Sequence, residues 1–322
     1  MRILVTGAGG PSAISVWKSL GGAHQVFMAD MDPCASGLYL VPKAQRLLVP
    51  RGDAPSFVNS VLAVCTALRI ELLVSTVDAE LAPLAQALER FDAIGARVPL
   101  SPLSALMLCR DKLALLERAQ GVVPTPQTQV IDAGTAAQPL TFPRFVKPRV
   151  GAGSRGAEVV HSAADLATLP SDGSYLLQEW LPGDEYSVDV YLRGDGVALA
   201  SVPRVRMKTD SGIAVAARTV HLPEVSEAAI RIAQAVGIRY VANVQFRRAD
   251  DGQAKLLEIN PRFPGTLPLT AHAGVDIPAL LVAEAAGQPL PEGLMPYTER
   301  MVVRYWSEQF VDTAEWEDLC GP

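Results

Sequence analysis

Leu256-Leu257-Glu258-Ile259-Asn260-Pro261-Arg262 is a short apolar run that ends abruptly in a carboxylate, an amide and a guanidinium. If Leu256 to Ile259 is a strand, period-two alternation sets Glu258 and Asn260 on one face. Pro261 removes a donor and ends regular pairing, which leaves Arg262 free just beyond the sheet. Glu258 and Asn260 offer hard oxygens of the kind Mg²⁺ accepts beside waters and phosphate oxygens, and Arg262 can fork onto an anion. Alone, the stretch reads equally well as a strand end with a solvated polar tail, because charged residues often cap strands without chemical purpose. The surrounding chain has to decide.

Working outward, Val241 to Arg247 and Gln253 to Asn260 form a hairpin around Asp250-Asp251-Gly252, across which Gln245 comes near Glu258 as a further oxygen donor. Upstream, Phe145-Val146-Lys147-Pro148 is a strand carrying a lysine, followed by Gly151-Ala152-Gly153-Ser154-Arg155-Gly156 and a second strand, Ala157 to Val160. Glycines let successive backbone N–H groups close around phosphate oxygens without Cβ clashes, and Ser154 adds a hydroxyl. No G-K-[ST] follows, so this is not a Walker loop, and a plain hairpin turn is the competing reading. Tyr175 to Leu181, including Gln178, Glu179 and Trp180, is a strand that leaves into Pro182-Gly183-Asp184-Glu185 before a second strand to Leu192. Backbone groups of such a connector can hold adenine, and Glu185, an acceptor-only carboxylate, can bind both ribose hydroxyls or simply serve the turn. Val197 to Val205 delivers Arg204, Arg206 and Lys208, a cationic cluster able to pair with acids or to bind an anionic substrate.

The first hundred residues read differently. Ile3 to Thr6 is a buried strand, Gly7-Ala8-Gly9-Gly10-Pro11 a glycine turn, Ser12 to Leu20 a helix, and Gln25 to Asp30 a second strand ending in an acid. This has the outline of a dinucleotide fingerprint, but Ser12 falls where the third glycine belongs. Further βα units end at Glu71 to Thr76, whose carboxyl end carries Asp78 and Glu80, candidates for helix N-caps or for substrate contacts. Ser101-Pro102 starts a helix, with Ser101 as its cap, that runs through Lys112 to Gly121, and Val122 to Pro126 is an extended linker.

At 322 residues the chain is long enough for two or three domains. A net charge of −6 disfavours a nucleic-acid or anionic-membrane surface. Four scattered cysteines without a C-x-x-C pair fit neither a zinc site nor a disulfide framework, so a reducing cytoplasm is the expected home. The chain opens directly on an apparent strand, so no leader is expected. The apolar stretch from Leu267 to Gly287 contains His272, Asp276 and Pro278 and reads as loop plus buried helix. The tail from Met301 onward has no readable role.

Together, F-V-K-P-x-x-G-A-G-S-R-G, L-Q-E-W-L-P-G-D-E-Y-S-V-D-V and L-L-E-I-N-P-R stand in an order and spacing that resemble the ATP-grasp superfamily over nearly the whole chain. The G-A-G-G turn and V-A-N-V-Q-F resemble its carbamoyl-phosphate-synthetase-like branch. The resemblance implies an α/β fold, α+β in its C-terminal part: a Rossmann-like pre-ATP-grasp domain over 1–100, a linker helix and small lid over 101–181, and a large subdomain over 182–322. It further implies ATP between the last two, Lys112 and Lys147 on the α and β phosphates, and Gly151, Gly153, Ser154 and Gly156 over the β and γ phosphates. Gln178, Glu179, Trp180 and Leu181 would hold adenine, and Glu185 the ribose. Gln245, Glu258 and Asn260 would hold Mg²⁺, with Mn²⁺ able to substitute. Arg262, with Lys147 and Asn260, would be catalytic, stabilising the transferring phosphoryl group. Asp78, Arg204, Arg206 and the loop Phe263 to His272, Gly265 and Thr266 foremost, would face the substrate.

Many ATP-grasp enzymes carry a metal carboxylate where this chain has Gln245, and carbamoyl-phosphate synthetase has two tandem copies where this chain has one. The implied activity is a carboxylate–amine ligase that proceeds through an acyl-phosphate and releases ADP. Its partners would be a small-molecule carboxylate and an amine, without nucleic acid or membrane, and a homodimer is allowed. The alternatives are a dinucleotide-dependent oxidoreductase using the N-terminal glycine turn, and a non-catalytic nucleotide-binding protein.

Overall fold

The computed structural model describes residues 1–135, 139–151, 153, 155–210 and 212–320, and the chain in it forms three sheets in succession. The first is all-parallel, in the order β3-β2-β1-β4, from β1 (Arg2–Thr6), β2 (Gln25–Asp30), β3 (Arg46–Leu48) and β4 (Leu72–Ser75). Its strands are apolar on both faces because helices cover both. Ile3, Val5 and Met28 face α1 (Pro11–Leu20), while Leu4, Phe27 and Leu73 pack with Phe57 and Val61 of α2 (Phe57–Leu68). Past β4 come α3 (Asp78–Ala85) and α4 (Leu88–Asp92).

The helix read as continuous from Ser101 to Gly121 is broken in two. Asp111 leaves the helical region (φ −93°, ψ 102°), ends α5 (Leu103–Arg110) and caps α6 (Lys112–Ala119) by accepting from the N–H groups of Leu113 and Ala114. Its carboxylate also takes a bidentate Arg149 guanidinium at 2.6–3.0 Å, which holds its pKa below the usual range. Ser101 is not a cap: its hydroxyl donates to the Arg239 carbonyl at 3.0 Å. Both helices pack into the core of the third sheet, with Leu115, Leu116 and Ala119 against Val188 and Phe246.

The second sheet, β5-β8-β6-β7, is antiparallel and small: β5 (Thr128–Asp132), β6 (Arg144–Pro148), β7 (Glu158–Val160) and β8 (Asp172–Glu179), with the short α7 (Ala163–Leu166) closed by a Ser162/Asp165 capping box. The third, β13-β12-β9-β10-β11-β14, is built of β9 (Glu185–Leu192), β10 (Ala198–Asp210), β11 (Ile213–Thr219), β12 (Tyr240–Arg248), β13 (Ala254–Asn260) and β14 (Met301–Val303). Alternation along β9 divides its faces. Tyr186, Val188, Val190 and Leu192 pack on α5, α6 and α8 (Pro223–Val236), which stops where Gly237 takes φ +86°.

On the other face, Tyr191, Ala200, Val202 and Val241 join one core with α1, α9 (Leu267–His272), α10 (Ile277–Ala285) and the first sheet. This core fuses the first and third units. A Cβ on Gly265 would stand 2.8 Å from Pro11 Cγ, and Ser19 donates to Asp276 at 2.6 Å. The tail returns to the first domain through α11 (Thr313–Cys320), where Arg46 meets Glu315 at 2.6 Å. Among the described residues no helix is long and apolar enough to cross a membrane.

Candidate nucleotide and substrate site

The second sheet leans over the polar half of the third, and a cleft of about 260 Å³ lies between them. That volume suits a small organic molecule rather than a few waters. Its floor is set by the β12–β13 hairpin. Gln245 pairs with Glu258 and Asn243 with Asn260, but Phe246 pairs with Leu256, so Leu257 is an extra residue in β13. This bulge lets Leu256 and Ile259 both enter the core behind the sheet while Glu258 lines the cleft with Asn260 next to it. The Asn260 amide donates to Glu258 Oε1 at 3.1 Å, and the Gln245 amide to Asn243 Oδ1 at 3.3 Å. The amide oxygens of Gln245 and Asn260 and one carboxylate suit a hard cation that brings phosphate oxygens with it, not a cage made wholly of protein. No cluster of three His, Cys, Asp or Glu side chains capable of holding a metal occurs among the described residues.

Two lysines flank Glu258. Lys147 of β6 is 6% exposed and donates to the Leu257 carbonyl at 3.0 Å, the group that the bulge turns outward. Burial pushes its pKa down to about 8, with Lys112 adding to the effect and Glu258 opposing it. Lys112, the first residue of α6, donates to the Gly151 carbonyl at 2.7 Å and lies 3.9 Å from Glu258 Oε2. The break at Asp111 is therefore what aims Lys112 at the cleft. In the adjoining loop Gly153 and Gly156 have φ +71° and +72°, and a Cβ on Gly156 would sit 2.7 Å from the Tyr175 hydroxyl. Ser154 lies outside the described residues.

At the other end the side chains expected on adenine are already engaged. Gln178 is buried and donates to Thr128 at 2.7 Å, Glu179 pairs with Lys255, and the Trp180 ring lies 5.0 Å beneath the Arg247 guanidinium. What the connector through Leu181 offers a base is therefore backbone. Glu185 is not a free acceptor either, since Arg206 binds it and Arg247 stands 4.0 Å away.

The cationic cluster of β10 is dispersed. Arg204, 1% exposed, is held on Asp189 at 2.5 and 2.9 Å, and Asp189 also accepts from Asn243 at 2.8 Å and Thr270 at 2.5 Å. Arg206 lines the cleft. The pair of arginines read as a joint receptor for an anion is thus divided between two internal carboxylates. Arg262, beyond the end of β13, is 2.9 Å from Asp78, which places these two candidates together outside the residues lining the cleft. Gly265 presents its carbonyl to Ser15 at 3.0 Å and to Arg304, and Thr266 beside it is buried.

Arg247, Lys255, Asp189 and Arg304 escaped the sequence reading. Asp189 alone left a signal there, as a charge in the middle of an otherwise apolar strand.

Neither acid after β4 is an N-cap. The cap position of α3 is Val77, and Glu80 turns inward to accept the hydroxyls of Ser75, at 2.7 Å, and Thr6. Burial pushes its carboxyl up to about 7. The glycine turn is closed as well. Asp30, the residue that would bind a ribose, accepts the Gly9 N–H at 2.7 Å, and Gly37 packs so tightly that its Cβ would lie 2.3 Å from the Ala8 carbonyl. The turn is held by the protein's own segment after β2, with the Gly37 N–H donating to the Ala8 carbonyl at 3.0 Å.

Residues 171–309 match the family described as ATP-grasp in the biosynthetic pathway with Ter operon, and residues 3–99 the PylC-like N-terminal domain. The carbamoyl phosphate synthase large chain of Gemmatimonas aurantiaca is 27% identical over 218 residues, 61% of this chain and 20% of that one. This chain therefore spans about a fifth of the length of that relative. In fold it is similar to N5-carboxyaminoimidazole synthetase from Staphylococcus aureus complexed with ADP (TM-score 0.72, 16% identity, 92% of this chain and 79% of that one). It is also similar to L-amino acid ligase from Bacillus licheniformis (TM-score 0.62, 14% identity, 88% and 73%). The parallel first domain, the two facing antiparallel sheets and these matches give the chain an ATP-grasp fold, with residues 171–309 matching an ATP-grasp family and residues 3–99 a PylC-like N-terminal domain.

Proposed function

We propose that the chain is an ATP-dependent carboxylate–amine ligase: ATP phosphorylates a carboxylate, an amine displaces phosphate, and an amide, ADP and phosphate are released. The observation that carries this is the convergence of Lys112, Lys147 and Glu258 in one cleft, with Arg262 just outside it. In-line phosphoryl transfer asks for positioning and charge neutralisation rather than a side-chain nucleophile, and this cleft offers just those. The neighbours named as an amino acid ligase and a synthetase support the ligase class.

In this reading residues 1–100 form the pre-ATP-grasp domain, 128–181 the lid and 182–322 the large subdomain, to which α5 and α6 also belong. Lys147 and Lys112 bind the α and β phosphates, and the amides around Gly151, Gly153 and Gly156 bind the β and γ phosphates. Backbone groups from Glu179 to Leu181 read adenine, and Glu185 orients the ribose between its two arginines. Gln245, Glu258 and Asn260 would hold Mg²⁺, which neutralises phosphate charge when bound. Arg262 leaves Asp78 to stabilise the phosphoryl group in flight and the acyl-phosphate.

The test is to incubate the protein with ATP, Mg²⁺ and hydroxylamine across a panel of amino, hydroxy and keto acids. A hydroxamate formed in step with ADP is expected for the correct acid, because an acyl-phosphate is electrophilic enough to be intercepted. AMP and pyrophosphate would instead mark adenylation and refute the assignment.

A further inference from the structure

At the Gly265 turn, three residues after Arg262, the structure holds a guanidinium that no motif contains. Arg304 follows β14 and continues its pairing with β11, its N–H donating to the Val215 carbonyl at 2.8 Å. Alternation sends Met301 and Val303 outward, 57% and 66% exposed, whereas Val302 packs with Ala214, Ala217 and Leu269 on the inner side. Arg304 shares that inner side and is half-buried. Its guanidinium donates to the Gly265 carbonyl, at the turn three residues after Arg262. Arg204 approaches the same turn from β10, since the Asp189 it grips also binds Thr270.

The charges around this turn do not balance. Arg204 is matched by Asp189, Arg262 by Asp78 and Arg206 by Glu185. Arg304 forms no ion pair among the described residues, and both burial and the nearby Arg204 press against its protonation. An ion taken out of water without a partner is costly, and a Gly265 carbonyl supplies only a partial charge. Such a cation at the edge of a substrate site is expected where a ligand brings the missing anion.

We propose that Arg304 anchors a small carboxylate, the acid to be activated, under the Gly265 turn. A guanidinium fork matches the two oxygens of a carboxylate, and Arg204, saturated by Asp189, adds field without competing for the contact. That the bound acid is the substrate rests on the ligase reading. The anion site itself does not.

The experiment therefore uses no turnover. The full chain, nucleotide-free, is titrated with sodium acetate and separately with sodium phosphate at an ionic strength held constant with sodium chloride, and followed by thermal unfolding and calorimetry. Acetate is expected to stabilise the wild type saturably beyond chloride. In Arg304→Gln its affinity should fall by about tenfold or more, with partial recovery in Arg304→Lys. In chloride alone Arg304→Gln should unfold at or above the wild-type temperature, because it loses an uncompensated charge, whereas a merely structural tie to Gly265 would make it unfold lower. ADP binding should be unchanged in the variant, since Arg304 does not line the nucleotide cleft.

An absent acetate response in the wild type, an equal response in Arg304→Gln, or a response to phosphate alone would each overturn the proposal. Acetate binding that depends on Arg304 in a protein that forms no hydroxamate would leave the site standing and reject the ligase reading instead.

Discussion

Replacing Lys147 by methionine should make the protein more stable and inactive at once. The side chain is 6% exposed, and burial brings its pKa from 10.5 to about 8. Between those two values the unfolded chain keeps a proton that the folded chain has lost, so native stability rises with pH across that window and carries the full cost of the charge below it. At about 1.4 kcal/mol per pH unit, that cost is roughly 3 kcal/mol at pH 7. Methionine removes the charge, keeps most of the volume and gives up the hydrogen bond to the Leu257 carbonyl, worth about 1 kcal/mol. Lys147→Met should therefore be more stable by about 2 kcal/mol at pH 7, and this gain should vanish as the pH approaches the unfolded-state pKa. Urea unfolding of both proteins at neutral and alkaline pH measures the difference, and phosphate release or ADP titration measures the loss of function. A variant that is less stable at pH 7, or a difference that does not change with pH, would refute the reasoning.

Three further outcomes follow from the same geometry. Glu258→Gln should keep the far-ultraviolet circular dichroism of the wild type but lower Mg²⁺-dependent ATP turnover by about a hundredfold or more, since it removes the one carboxylate of the metal set; wild-type turnover would contradict that role. Asp189→Asn should cost about 3–5 kcal/mol in chemical denaturation, because it leaves the buried Arg204 without its counter-charge, and a loss under about 1 kcal/mol would show that Arg204 finds another partner. Asp111→Ala should cost about 1–2 kcal/mol through the lost cap of α6 and should also weaken ADP binding as Lys112 loses its aim; a stability loss without any change in ADP affinity would separate the cap from the cleft.

The features legible in the sequence are those that neighbouring residues decide between themselves. The β12–β13 hairpin is set by Asp250-Asp251-Gly252, with Gly252 at φ +82°, and α8 stops at Gly237, because only glycine takes such backbone angles without strain. The lysine-bearing strand, the glycine loop and the polar end of β13 likewise announce themselves as short patterns. Their order along the chain marks the superfamily, whose fold follows from it.

The tertiary structure decided where each charge goes. Period-two alternation assigns Arg204, Arg206 and Lys208 to one face, but it cannot say that Asp189 and Glu185 on the adjacent strand take the first two. No local pattern breaks the helix at Asp111, whose partner Arg149 stands 38 residues further on. Nor does any mark Leu257 as a bulge, pair Arg262 with Asp78, or return Arg304 to the Gly265 turn from a segment that shows no motif. The physical reason is common to all of these. Backbone preference acts over a few residues and is written in sequence order, whereas a buried charge must find its counter-ion through space, and the chain brings the two together only once its sheets have packed.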